Sequence, residues 1–371
     1  MPDPLRTRLC TQYGCDVPIV AFAHTRDVVA AVTNAGGIGV FGASPLTAEE
    51  LRFNISWIRE RVGDRPWGVD LLLPASFVPG NYEDLDAQIP DGHREFVAQL
   101  MRDNGIPHPT GTHPLSTGIE LERALGNARD LLDVILEERV PIFVSGLGSP
   151  AFILEEAHSR GVRVWGMVGL PRQAARQLEA GVDLIVAQGY DSGGHSGTIG
   201  TFTLVPEVVR LAEGTESLVL AAGGVNNGRQ VAAAIAMGAD GVWTGTIWLA
   251  THESETETFL KQRLVEARAE DVYQSSAMTG KPIRQLPSKF GDAWKTAGAP
   301  EPLGMPLQSV LVRDMMEGIA ESRMEDWMTT PAGQSVVGIH SIRPTSEVVY
   351  QLVEEAIESF ERIGANLSPG D

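Results

Sequence analysis

Leu184-Ile185-Val186-Ala187-Gln188-Gly189-Tyr190-Asp191-Ser192-Gly193-Gly194-His195-Ser196-Gly197 changes character at its midpoint. An apolar run of strand length gives way to four glycines within nine residues, with one carboxylate and one imidazole set among them. A strand that is apolar throughout belongs to a sheet covered on both faces. Glycines let a backbone approach a ligand closely, and a plain turn has no need of the histidine. A buried strand that opens at its C-terminal end into polar, glycine-rich chain is how an α/β barrel builds an active site.

The same unit recurs on either side. Apolar runs at 19–23, 37–41, 67–73, 141–145, 162–167, 218–222 and 241–244, together with 184–188, make eight expected strands. Amphipathic stretches at 27–35, 47–61, 149–159, 172–180 and 228–237 separate them as helices. Eight alternating units close as a (β/α)8 TIM barrel of the α/β class. An open doubly wound sheet is the alternative, but the nucleotide fingerprint after the first strand is absent. Two long segments break the rhythm. Residues 74–116, rich in Pro, Gly and His, precede a helical stretch at 118–138, and residues 253–336 form a helix-rich excursion after strand eight. Excursions of this length act as lids or inserted units. The expected division is a barrel of residues 1–252 and 337–371, closed by a last helix over 346–363, with 253–336 as a helical substrate or lid domain.

Composition narrows the partners. The formal net charge is −19, which disfavours nucleic acid and anionic membrane. Cys10 and Cys15 are the two cysteines of the chain. They make neither a disulfide framework nor a zinc-ligand set, and a cytoplasmic protein is expected. No basic-then-apolar leader pattern is visible, and no apolar run approaches the ~20 residues of a spanning helix.

The strand ends carry the chemistry. Ala221-Ala222-Gly223-Gly224-Val225-Asn226-Asn227-Gly228 follows strand seven, and Thr244-Gly245-Thr246 follows strand eight. Loops in these two places, ahead of a helix N-terminus, form the recurrent phosphate site of barrels; ordinary turn glycines are the bland alternative. The first lysine of the chain is Lys261, so no strand carries one, and a Schiff-base aldolase is excluded. Strand one ends Ala21-Phe22-Ala23-His24 without a His-x-His pair, so a catalytic metal is not expected. Flavin mononucleotide (FMN) suits a phosphate-binding, apolar barrel mouth, with His195 near its reactive edge as a base working near neutral pH. A histidine satisfied by a backbone carbonyl is the competing reading.

The chain resembles the nitronate monooxygenase (2-nitropropane dioxygenase-like) family. The matching segments, in order, begin with Ala30-Ala31-Val32-Thr33-Asn34-Ala35-Gly36-Gly37-Ile38-Gly39 and Ala187 to His195. Leu204-Val205-Pro206-Glu207-Val208-Val209, Ala221 to Val225 and Gly238-Ala239-Asp240-Gly241-Val242-Trp243-Thr244-Gly245-Thr246 follow. Thr279-Gly280-Lys281-Pro282-Ile283-Arg284 and Ala332-Gly333-Gln334 complete the series. The resemblance implies FMN held by Gln188, Gly193, Gly194, Gly223, Gly224, Gly245 and Thr246, with Ala21, Phe22, Ala23, Asp70, Ala222 and Thr244 beside them. It implies His195 as catalytic base, and His24, Arg26, Ser145, Arg284 and Gln334 facing the substrate. A small carbon acid such as a nitronate would be oxidised, with O2 as electron acceptor.

Two departures from the family pattern open a second reading. A Pro-Met-small-Gly stretch is usual after strand one, where this chain has Phe22-Ala23-His24-Thr25-Arg26-Asp27. An asparagine is usual after strand three, where this chain has Asp70; an aspartate donates a hydrogen bond only when protonated. Relatives with this type of first loop resemble flavin dehydrogenases or reductases of acyl-CoA or steroid-derived CoA thioesters. Lys281, Arg284 and Lys289 would then clamp a CoA phosphate, and Arg26 or His24 would orient the thioester carbonyl. A flavin-free isomerase or lyase that binds its substrate's own phosphate is the third reading.

Overall fold

The computed structural model describes residues 3–73, 82–110 and 128–367. Its strands are β1 Ile19–Ala23, β2 Ile38–Gly42, β3 Trp67–Leu72, β4 Ile142–Leu147, β5 Arg163–Val168, β6 Leu184–Gln188, β7 Gly194–His195, β8 Leu218–Ala222, β9 Gly241–Thr244, β10 Tyr273–Ser275 and β11 Ile283–Gln285. Its helices are α1 Arg8–Tyr13, α2 Arg26–Asn34, α3 Ala48–Val62, α4 Tyr82–Asp86, α5 Asp91–Asn104, α6 Ala128–Glu137, α7 Leu154–Ser159, α8 Pro171–Ala180, α9 Thr201–Ala212, α10 Gly228–Ala236, α11 Thr258–Glu266, α12 Lys289–Ala293, α13 Leu307–Glu321 and α14 Thr345–Leu367.

Strands β1-β2-β3-β4-β5-β6-β8-β9 close a barrel, each paired in parallel with its neighbours. These are the eight strands expected from the apolar runs, and the fold is a TIM barrel. The two-residue β7 is additional and lies outside the barrel.

Alternation along each strand sorts the side chains into two cores. Val20, Val40, Val144, Trp165, Val186, Leu220 and Trp243 fill the barrel, and Leu9, Cys10 and Cys15 belong to the same inner cluster. Ile19, Ala21, Val69, Leu71, Phe143, Ile185, Ala187, Ala221 and Val242 face the surrounding helices. The inner face approaching the C-terminal rim is thereby fixed as Phe22, Gly42, Asp70, Gln188 and Ala222. Close helix seating depends on missing side chains: a Cβ on Gly39 would lie 2.3 Å from the Val29 carbonyl oxygen of α2. Local signals start the covering helices where the sequence places them. Thr47 with Glu50 and Asn227 with Gln230 form capping boxes on α3 and α10, each satisfying otherwise orphaned amides. Helix α14 packs on α10 and α2, and Glu355 accepts from the Gly228 amide at 2.8 Å.

The excursion after β9 carries strand as well as helix. β10 and β11 pair antiparallel, and β11 pairs with β7. The apolar periods of residues 273–285 are too short to announce strands by themselves. Helix α13 packs against α4 and α5. Ile89, Val97, Met101 and Ile106 share one apolar cluster with Met278, Ile283, Phe290, Val312, Met315, Ile319 and Trp327. The chain leaving β3 and the chain leaving β9 thus build one body from the same rim of the barrel. Residues 74–81 and 111–127 of the first excursion and its expected following helix lie outside the described residues. Among the described residues no helix is long and apolar enough to cross a membrane.

Candidate active site

His195 lies within the glycine-rich stretch, and its backbone is held by Ile283 of β11. Its Nδ1 lies 3.2 Å from the Pro282 carbonyl oxygen. A carbonyl only accepts, so the proton of the neutral ring resides on Nδ1 and the basic lone pair on Nε2. Burial pushes the imidazole below the usual histidine range; the Pro282 hydrogen bond opposes that shift, and the Lys281 ammonium adds to it.

Asp70 lies on the inner face of β3, opposite Gly42 of β2 and Val144 of β4. It is 4% exposed, and its Oδ2 is buried without a hydrogen-bond partner. Burial pushes its carboxyl up to about 8, which favours the neutral carboxylic acid at neutral pH. Phe22 stacks on Trp243 at 5.8 Å between ring centroids and meets His24 edge-on at 5.0 Å. His24 is fixed through Nδ1 to the Gly42 carbonyl at 3.0 Å.

The rim after β8 turns at Gly223 and Gly224, with φ of +94° and +78°, a conformation that favours glycine. Thr201 at the head of α9 donates its hydroxyl to the Gly223 carbonyl at 3.0 Å, while Asp191 accepts from the Thr201 amide at 3.1 Å. A cavity of about 310 Å³ opens beside Gly223, Gly224, Asn226, Gln230 and Gln334. Gly193, Thr246 and Gly333 converge: Thr246 Oγ1 accepts from the Gly333 amide at 2.9 Å, and a Cβ on Gly193 would lie 2.7 Å from the Gly333 nitrogen. The Gln334 backbone amide donates to the Asp191 carbonyl at 2.9 Å.

Other expected residues are placed differently. The side chains of Ala21 and Ala23 pack toward the helices, so their main chain is what reaches the rim. Thr244 donates its hydroxyl to the Val20 carbonyl at 2.9 Å, and Ser145 donates to the Leu147 carbonyl at 3.0 Å. Arg26 lies over the rings of Phe53 and Trp57 and donates to Asn54 at 3.1 Å, held against α3 rather than over the mouth. Lys281, Arg284 and Lys289 do not form one clamp. Lys289 pairs with Asp326 at 2.8 Å, and Arg284 is 3% exposed. The Arg284 guanidinium donates to the carbonyls of Tyr190 and Val272 and stacks at 4.4 Å on the Tyr190 ring. Proximity in sequence was the whole signal for that clamp, and strand pairing turns its members apart.

Two polar groups near the site were not singled out from sequence. Ser192 is buried with an unpartnered hydroxyl; it lies in the quoted stretch, where the flanking glycines carry the stronger signal. Gln285 is buried with both side-chain polar atoms unpartnered, and nothing in its sequence surroundings marks it.

Comparison with known proteins extends this picture. Residues 5–355 match the family model described as nitronate monooxygenase. A Mycobacterium tuberculosis protein named as a putative monooxygenase, Rv1533, is 41% identical, with 97% of this chain and 98% of the relative covered. A Staphylococcus saprophyticus protein named as a probable nitronate monooxygenase is 27% identical, with 89% and 92% covered. Among solved structures, FabK from Thermotoga maritima superposes with a TM-score of 0.75 at 28% identity over 98% of this chain and 99% of that one. A nitroalkane oxidase from Streptomyces ansochromogenes superposes with a TM-score of 0.76 at 25% identity over 95% and 99%. With a matching barrel, a matching order of motifs and a family model spanning nearly the whole chain, this protein is an oxidoreductase that belongs to the nitronate monooxygenase family.

Proposed function

We propose that this chain is an FMN-dependent oxidoreductase that oxidises a small carbon acid of the nitronate type, with O2 as electron acceptor. The Pro282 carbonyl satisfies Nδ1 of His195, as the structural reading of this histidine also expects; what supports the catalytic reading is that this bond leaves the basic lone pair on Nε2. The surroundings fit a phosphorylated, planar cofactor. Left-handed turns at Gly223 and Gly224 expose main chain at the rim, and a side chain on Gly194 or Gly245 would meet open space. Gln188, Gly193, Gly194, Ala222, Gly223, Gly224, Gly245 and Thr246 would hold the cofactor, with Phe22 and Asp70 at the mouth. The main chain of Ala21, Ala23 and Thr244 would complete the seat. When bound, FMN would supply the acceptor for the substrate's electrons. His195 would remove the substrate proton on Nε2 and retain it through the imidazolium, which Pro282 stabilises by its hydrogen bond. His24 and Gln334 would be the remaining side chains to meet a small substrate. The CoA-thioester alternative loses its phosphate clamp, because the expected cations are parted.

Extraction of the chromophore from purified protein tests the reading. Release of FMN, together with nitronate-dependent O2 consumption, is the expected result. Colourless protein that takes up no added FMN overturns it and returns the flavin-free isomerase or lyase.

The pH profile follows from the imidazole's surroundings. A base must be neutral to act, and burial keeps His195 neutral to lower pH than an exposed histidine. The acid limb of kcat/KM should therefore fall below the ordinary histidine value of about 6.5. Lys281→Gln should move that limb upward, because it removes a positive charge that disfavours the imidazolium. The same linkage makes folding stability rise with pH between the folded and unfolded values, since the unfolded chain binds the extra proton there. An acid limb at or above about 6.5 would contradict the assignment.

A further inference from the structure

Asp70 is a buried acid whose Oδ2 has no hydrogen-bond partner among the described residues. Its neighbours in register, Gly42 and Val144, share the inner face of the barrel, whereas Val69 and Leu71 on either side point into the outer core. The carboxyl therefore turns into the barrel, at the rim end of β3. Room for it is kept by glycine, since a Cβ on Gly146 of β4 would lie 3.0 Å from each carboxyl oxygen. No cation among the described residues holds the group as an anion, and desolvation alone accounts for its raised proton affinity. The neighbouring strands β2 and β4 present no titratable side chain. The loop after β1 presents His24, whose Nδ1 is engaged by the Gly42 carbonyl. Arg26 and Asp27, at the start of α2, are paired with each other, and Arg26 also lies on α3. His195 approaches the mouth from the rim after β6.

A buried oxygen without a hydrogen bond is costly to maintain, because its desolvation is not repaid. Such a group at the mouth of a barrel points to a ligand that completes it. An ionised carboxylate only accepts hydrogen bonds, whereas a carboxylic acid offers one donor and one acceptor, the same pair an amide offers. The complementary ligand edge carries a carbonyl acceptor next to an N–H donor.

We propose that Asp70 serves this site as a neutral carboxylic acid that pairs with the amide-like edge of a planar heteroaromatic ring, so that binding of the ring weakens when the carboxyl ionises. The inference rests on the cofactor reading above, in which that ring belongs to FMN. It makes Asp70 a binding residue whose protonation sets the upper pH limit of cofactor retention, and it gives the same position in an asparagine-bearing chain the same hydrogen bonds without the titration.

Two measurements on apoprotein and reconstituted protein test it, comparing wild type with Asp70→Asn. In the first, FMN affinity is followed by flavin fluorescence quenching from about pH 6 to 10, a range that brackets the ionisation of the carboxyl. Wild type should lose affinity by about tenfold per pH unit once the carboxyl ionises, at about 8, while Asp70→Asn stays flat over the same range. In the second, thermal stability of the two apoproteins is compared from about pH 4 to 9. The folded state holds the Asp70 proton to higher pH than the unfolded chain, so wild type should lose stability relative to Asp70→Asn as pH rises from about 4 to about 8, then run parallel to it. A wild-type affinity that is flat in pH, that rises with pH, or whose break persists in Asp70→Asn would overturn the proposal while leaving FMN in place. Failure of wild type to bind FMN at every pH would overturn it together with the cofactor reading. A pH-independent stability difference would overturn the neutral acid itself.

Discussion

His195→Asn is expected to lower nitronate turnover by about 10²–10⁴-fold, the usual contribution of a positioned general base. Asparagine is the informative replacement because its amide nitrogen still donates to a carbonyl. The Pro282 oxygen that now faces Nδ1 at 3.2 Å keeps a partner, and the pairing of β7 with β11 through Ile283 is main-chain. What disappears is the basic lone pair. FMN content and thermal stability should therefore remain near wild type while kcat collapses, and the acid limb of the pH profile should vanish with the group that produces it. Full activity in a flavin-loaded, folded His195→Asn protein would remove His195 from the chemistry. A loss of flavin equal to the loss of rate would make the histidine part of the cofactor seat instead.

The barrel was legible because its signal is redundant. Each of the eight strands is apolar on both faces, so Ile185 and Val186 belong to different cores yet read alike, and the run of units matters more than any boundary. The turns at the rim were legible for a related reason: left-handed backbone favours glycine, and Gly194, Gly223 and Gly224 stand out without a structure. Side-chain direction was not legible. Ser145 and Thr244 sit at strand ends as an active site requires, but period-two alternation turns both to the helix side, where their hydroxyls meet Leu147 and Val20 carbonyls. Residues brought together by pairing distant in sequence were least visible. The register of β7 with β11 joins residues 194–195 to 283–284, and the core under α13 joins residues 89–106 to 278–327. Neither leaves a local pattern. Asp70 lay between these cases: the sequence shows the carboxyl, and burial decides which protonation state it brings.

Arg284→Ala should destabilise the protein by about 2–4 kcal/mol, because it removes a buried guanidinium and strands the carbonyls it serves. Tyr190 and Val272 would each lose a charged donor, and the Tyr190 ring would lose the cation stacked on it. For a chain of this size that is on the order of 5 °C in the unfolding midpoint. Arg284→Lys should recover a minority of it, since an ammonium cannot bridge both carbonyls with the planar fork. The chemical consequence travels one residue along the strand. Arg284 pairs with Gly194 and Ile283 with His195, so Arg284 is expected to act on the imidazole through the strand rather than by touching substrate. If it does so, Arg284→Ala admits water around His195 and its acid limb moves up toward about 6.5, a displacement that loss of stability elsewhere in the barrel would not produce. The phosphate-clamp reading demands the opposite signature: an unchanged midpoint, an unmoved acid limb and weakened acyl-CoA binding. A guanidinium that spends three of its five N–H donors on two carbonyls and is 3% exposed is held for the interior rather than for a phosphate, which is why the midpoint should fall and the limb should move.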